Sequence, residues 1–220
     1  MHKAIIIVAG GKGLRMGSDI PKQFLVLDGK PILMHTIERF YDYDNQMQIV
    51  VVLPKAQQAY WSGLCEQYQF AIPHEVCDGG EERFHSVKNG LAAVSPECRL
   101  IGIHDGVRPY VSREVIARCY DTAASQGSAI PVIPVYETLR EMVNPTIFNH
   151  HSTSRVRPRA AFRLVQTPQV FVSDLIRNAY EQDYQSTFTD DATVVEHLGY
   201  SVTLVEGTRR NIKITTPDDL

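Results

Sequence analysis

The chain has 220 residues, 22 Lys and Arg against 25 Asp and Glu, and a formal net charge of −3. At 44% hydrophobic and 21% charged it has the make-up of a globular chain able to bury a sizeable core, which excludes disordered and fibrous classes. The slightly acidic balance argues against a protein that coats nucleic acid or anionic membrane, so an anionic ligand has to be met by a local cluster of cations.

The apolar run from Ala4 to Ala9 is too short for a signal peptide or a membrane span, and no other segment approaches the roughly 20 apolar residues of a spanning helix. A cytoplasmic protein without a membrane partner is expected. Short β-branched runs predict strands at Ala4 to Val8, Ile49 to Leu53, Leu100 to His104, Ala129 to Val135 and Ser201 to Val205. Helical patterns lie between and after them: Pro31 to Tyr41, Gln57 to Tyr68, Arg83 to Val94, Arg113 to Gln126, Ser173 to Gln182 and Asp190 to Leu198. In the first of these, Leu33, Ile37, Phe40 and Tyr41 form one apolar stripe behind a first-turn proline. Such alternation predicts an α/β fold with a mostly parallel sheet, and ligands in such folds gather at the C-terminal strand ends. The stretch Tyr136 to Arg163 breaks the pattern with Pro145, His150, His151 and arginines at 155, 157, 159 and 163, and reads as an excursion from the sheet. At the end of the chain, Thr-Thr-Pro-Asp would ordinarily open another helix. The cysteines, Cys65, Cys77, Cys98 and Cys119, show no CxxC spacing and are expected to be reduced, apolar residues that bind no metal.

Chemistry-bearing residues cluster at the strand ends. After Val8 come Ala9, Gly10, Gly11, Lys12, Gly13, Leu14, Arg15, Met16 and Gly17, then Pro21, Lys22, Gln23 and Phe24. Glycines let backbone N–H groups approach an anion, but the spacing is neither GxGxxG nor GxxxxGK[ST]. What remains is a glycine turn with two cations, Arg15 and Lys22; the plainer reading is an ordinary strand-to-helix turn. Asp78-Gly79-Gly80-Glu81-Glu82-Arg83 opens the helix carrying Ser86 and offers free N–H groups, or simply a helix start. His104-Asp105-Gly106-Val107-Arg108-Pro109 puts a carboxylate and an arginine at the ligand edge, where the two can also pair with each other. In Asn211-Ile212-Lys213-Ile214, alternation predicts Ile212 and Ile214 facing the core and Lys213 pointing away. Thr189-Asp190-Asp191 reads most simply as an N-cap.

Taken together, AGGKGLRMG with PKQF, DGGEERFHSV, HDGVRP, LVQTPQVF, FTDDA and EGTRRNIKITTPDDL resemble, in order and over the full length, the 2-C-methyl-D-erythritol 4-phosphate cytidylyltransferase family. The resemblance implies a single Rossmann-like nucleotidyltransferase domain over 1–220, with a protruding dimerisation arm at 137–162. It also implies transfer of CMP from CTP to 2-C-methyl-D-erythritol 4-phosphate, with Mg²⁺ carried mainly by the CTP phosphates. Residues matching Arg15 and Lys22 hold the CTP phosphates, and the one matching Lys213 sits near the reacting phosphorus. Nucleotide-binding positions match Ala9, Gly10, Gly11, Gly13, Gly80, Glu81, Arg83, Ser86 and Gly106. The sugar-alcohol phosphate is met by residues matching Asp105, Arg108, Thr138, Arg159 and Thr189, of which Thr138 and Arg159 arrive from the partner of a homodimer with exchanged arms. HDGVRP stands where HDAARP is commoner, and Arg159 is chosen over Arg157 by its eight-residue distance to Thr167. A ribitol-5-phosphate cytidylyltransferase is the nearest alternative. A nucleic-acid-binding module using Arg155 to Arg163 is the alternative of another class, opposed by the overall charge.

Overall fold

The computed structural model describes residues 2–10, 20–143 and 153–219. Strand β1 (Lys3–Val8) is followed by a short hairpin, β2 (Val26–Leu27) with β3 (Lys30–Pro31), and by helix α1 (Ile32–Tyr43). The chain continues as β4 (Gln48–Leu53), α2 (Lys55–Gln67), β5 (Glu75–Asp78), α3 (Arg83–Ala93), β6 (Leu100–Asp105), α4 (Arg113–Gln126) and β7 (Ser128–Pro134). After it come β8 (Leu139–Met142), β9 (Ser154–Arg157), β10 (Arg163–Val165), β11 (Gln169–Val172), α5 (Ser173–Ala179), α6 (Asp191–His197) and β12 (Leu204–Glu206).

The main sheet runs β10-β7-β11-β6-β1-β4-β5, with β12 also on β7. Neighbours of β1 and β4 are parallel, as is β12 with β7, whereas β11 and β10 are antiparallel insertions. The parallel core follows from strands buried on both faces. In β1, Ile5 and Ile7 face a layer with Leu33, Phe40, Trp61, Val115 and Tyr120, and Ala4 and Ile6 face another with Phe84, Val87, Ile101, Phe171 and Val195. Helix ends are fixed locally: the Ser112 Oγ accepts from the Val115 N–H, Gly127 at φ +89° closes α4, and Asp190 and Thr193 form a capping box at α6.

One sequence expectation changes here: the last predicted strand lies at Leu204–Glu206 instead of Ser201 to Val205. Thr-Thr-Pro-Asp leads into a single tight turn at Pro217–Asp219. In that turn the Asp219 carboxylate accepts the Thr215 and Thr216 N–H groups. The stretch after Val135 leaves the main sheet as expected, with β8 and β9 pairing only with each other, antiparallel. Pro145, His150 and His151 lie outside the described residues.

Candidate active site

Because β1, β4, β5 and β6 are parallel, their C-terminal ends lie along one edge. The Ala9 N–H donates to the Val52 carbonyl and the Gly106 N–H to the Val8 carbonyl, so the exit of β1 is held between β4 and β6. A Cβ on Gly106 would lie 2.8 Å from that of Ala9. Glycine at this position permits the close approach of the two turns.

A cavity of ≈ 390 Å³ opens at this edge, within the size range of small-molecule sites. Of the residues singled out from the sequence, Ala9, Gly10, Lys22, Gly80, Glu81, Arg83, Ser86, Asp105 and Lys213 line it. Arg15, Gly11 and Gly13 lie outside the described residues. Gly106 and Arg108 adjoin the cavity through Asp105 without lining it. Thr138, Arg159 and Thr189 are exposed and are not among its lining residues. Gln23, Glu82 and Val107 also line it and were not anticipated, although each neighbours a residue that was.

Asp105 is the electrostatic centre. Its Oδ2 accepts from Arg108 Nε at 2.9 Å and forms an ion pair with Lys213 Nζ at 3.2 Å. Burial works to raise the carboxyl's pKa, but the charges of Lys213, Arg108 and Arg83 hold it well below the usual carboxylate range. The Asp105–Arg108 pairing weighed from the sequence is thus present, and the guanidinium also donates through Nη1 to the Asn211 carbonyl at 2.9 Å. Lys213, 42% exposed, presents an ammonium to the cavity. It points away from the core as alternation predicts, and Ile214 is fully buried. Ile212, however, is 37% exposed, because residues 211–215 pair with no strand and so follow no sheet alternation.

The turn before α3 differs from expectation at its glycines. Their N–H groups are not free: Gly79 donates to the Leu53 carbonyl at 2.8 Å and Gly80 to Ser86 Oγ at 3.0 Å. A Cβ on Gly80 would lie 2.3 Å from that of His85, so the turn requires glycine there. Arg83 is held by a bidentate pair with Asp191, Nη1 to Oδ1 at 2.9 Å and Nη2 to Oδ2 at 2.6 Å. Asp191 has no exposed surface and also accepts from the Tyr180 hydroxyl at 2.6 Å. Although burial opposes its charge, the Asp191 carboxylate holds the Arg83 guanidinium firmly protonated. Arg83 therefore braces α3 against α6 while lining the cavity. Asp190 does cap a helix, and Asp191 goes further as the partner of Arg83.

His104 acquires a place that the sequence did not suggest. It is fully buried; its Nε2 meets the Arg108 carbonyl at 3.2 Å and its Nδ1 meets Thr167 Oγ1 at 2.9 Å. A carbonyl only accepts, so Nε2 carries the proton and Nδ1 accepts from the Thr167 hydroxyl, which in turn accepts the Asp105 N–H at 3.1 Å. Burial pushes the imidazole down to about 4, partly countered by Asp105.

Among the described residues no group of three or more His, Cys, Asp or Glu is placed to hold a metal. The cavity's buried carboxylate, Asp105, is already engaged by two cations. This donor set suits a divalent ion that arrives on phosphate oxygens.

Glycine turns, a buried carboxylate and converging cations at the C-terminal edge of a largely parallel sheet define a nucleotidyltransferase-type α/β enzyme. The chain belongs to the 2-C-methyl-D-erythritol 4-phosphate cytidylyltransferase (IspD) family, whose model matches residues 3–220. It is 59% identical to the enzyme of that name from Phocaeicola vulgatus, covering 100% of this chain and 97% of that protein. The Bacteroides thetaiotaomicron enzyme is 55% identical over the same shares. Among solved structures, that of the Thermus thermophilus cytidylyltransferase superposes with a TM-score of 0.75 at 35% identity, covering 100% of this chain and 95% of that one. The Francisella tularensis IspD structure gives 0.80 at 31%, covering 100% and 96%.

Proposed function

We infer that this chain transfers CMP from CTP to 2-C-methyl-D-erythritol 4-phosphate in the biosynthesis of isoprenoid precursors. A phosphate oxygen of the monoester bonds to the α-phosphorus of CTP, the α–β phosphoanhydride bond breaks, and pyrophosphate leaves with the electron pair. The monoester's second pKa is about 6, so at neutral pH the nucleophile is already largely dianionic and needs no side-chain base. The barrier lies in bringing two anions together and in the charge that gathers on the leaving group. The convergence of Lys22, Lys213 and the Asp105–Arg108 pair on one cavity carries this reading. Carried on the nucleotide's phosphate oxygens, Mg²⁺ would neutralise phosphate charge beside Lys22 and Lys213. Lys22, with Arg15, is assigned to the triphosphate and Lys213 to the reacting phosphorus. The Gly80 to Ser86 turn is assigned to the base and ribose. Asp105 is assigned to substrate hydroxyls and Arg108, with Thr189, to the sugar-alcohol phosphate.

We further propose a single domain that works as a homodimer in the cytoplasm, with the arm at 137–162 reaching the partner's site. No helix of the described residues is long and apolar enough to cross a membrane. Thr138 and Arg159 do not line their own chain's cavity, and the Arg159 guanidinium donates to the Tyr136 carbonyl. Val143, Val156 and Phe162 on the arm and Leu164 and Val165 beside it are exposed apolar side chains. Arg157 is instead paired with Glu141 across the hairpin, in keeping with the choice of Arg159. Lys22→Ala and Lys213→Ala test the assignment. Each is expected to lower kcat by about 10²–10³, the scale of a lost oxyanion donor, with little change in melting temperature. Turnover near that of the unmodified enzyme in both variants would sink it.

A further inference from the structure

The loop that carries Lys213 is held by a residue with no assigned role. Asn211 is completely buried. Its side-chain Nδ2 donates to the Thr167 carbonyl at 2.8 Å, and its own carbonyl accepts from Arg108 Nη1 at 2.9 Å and Gln166 Nε2 at 3.1 Å. It therefore ties together the segment before β11, the turn after β6 and the segment leading to Lys213. Two residues on, Lys213 meets the Asp105 carboxylate. One residue further, the Ile214 N–H donates to the Val107 carbonyl at 2.9 Å, and Ile214 packs on Val107, Leu27 and Ile32. The Lys213 backbone is thus pinned on both sides, at Asn211 and at Ile214, in a stretch that no sheet ladder holds.

The chemistry of the side chain sharpens the point. Facing a carbonyl, Asn211 must present its NH₂, which leaves Oδ1 buried and without a hydrogen-bond partner among the described residues. An unpaired buried oxygen costs stability, so core stability alone does not account for an amide here. A donor aimed at the Thr167 carbonyl, on a residue whose own carbonyl receives Arg108, links the Thr167 main chain and the Arg108 side chain, and both of these residues bond Asp105.

We propose that Asn211 is a positioning residue for the transfer step, fixing Lys213 relative to Asp105 and Arg108 so that the cations and the carboxylate meet the reacting phosphates in one geometry. The proposal rests on the reading of Lys213 as the cation at the reacting phosphorus.

The test is a double-variant cycle on the full-length protein, with Mg²⁺, CTP and 2-C-methyl-D-erythritol 4-phosphate, measuring kcat, both KM values and the melting temperature. Asn211→Ala is expected to lower kcat roughly ten- to a hundredfold, the scale of an ångström-level misplacement of a reacting group, with KM for CTP little changed. Because Asn211 acts through Lys213, combining it with Lys213→Ala is expected to cost no more than Lys213→Ala alone. Asn211→Asp has nearly the same shape but sets an oxygen against the Thr167 carbonyl and is expected to behave as Asn211→Ala, whereas Asn211→Ser keeps a donor and is expected to recover part of the rate. Should Asn211→Ala not fold, the Asp and Ser variants carry the same comparison. Unchanged kcat in Asn211→Ala or Asn211→Asp, or losses that multiply in the double variant, would overturn the proposal. Full activity of Lys213→Ala would instead overturn the reading on which it rests.

Discussion

Lowering the pH should remove a definite share of this protein's stability through His104. The imidazole is fully buried, held neutral, and depressed from 6.5 to about 4. Between those two values the unfolded chain binds a proton that the folded chain does not, so stability rises with pH across the window and is lost as pH falls through it. The difference amounts to about 3 kcal/mol between pH 7 and pH 4. Asp105, Arg108 and Lys213 surround the ring; Asp105 stays ionised in the folded chain across this window, and its own stabilising contribution is lost mainly below it, as the carboxyl of the unfolded chain protonates near 3.8. Urea unfolding of the unmodified protein and of His104→Asn at several pH values isolates the effect, since only the slope against pH is compared. The variant is expected to start less stable at pH 7 and to lose about 3 kcal/mol less on acidification. Parallel pH dependences would refute the assignment of a buried, neutral imidazole beneath the Asp105 turn.

Asp191→Ala should destabilise by about 3 kcal/mol, the lower part of the range for a broken buried pair, because Arg83 retains 28% exposure while Asp191 has none. Asp191→Asn, which still offers an oxygen, should cost less; the midpoints of urea unfolding distinguish the two. Gly80→Ala forces a Cβ to within 2.3 Å of that of His85, and it should cost about 1–3 kcal/mol by overpacking and raise KM for CTP more than KM for the sugar-alcohol phosphate. Steady-state kinetics with each substrate varied in turn reads the second effect, and equal changes in both would argue against placing the base and ribose at this turn.

How far the sequence reached depended on how local the cause was. The central strands were legible because β1 and β4 are buried on both faces and so read as unbroken apolar runs. The strand β5 escaped because Glu75 to Asp78 lies on a sheet edge with mostly exposed side chains and carries no such run. β11 opens on Gln169, a polar residue that is nonetheless fully buried because its amide bonds Asp190 and the Ala192 N–H. In the site, the Asp105–Arg108 pair was visible at its three-residue spacing. The partner of Arg83 lies 108 positions away and could not be found by spacing. Asn211 and His104 owe their places to hydrogen bonds across three segments, and nothing in their own neighbourhoods signals them. The net charge of −3 hid the site in the same way, since its cations come from separate parts of the chain.

The most direct test of the account is pyrophosphate release from CTP and Mg²⁺ by the purified protein, run side by side with 2-C-methyl-D-erythritol 4-phosphate and ribitol 5-phosphate. The account predicts rapid release with the first, little with the second, and none from CTP alone or after chelation of the metal. Preferential turnover of ribitol 5-phosphate, or release that ignores both acceptors, would contradict it.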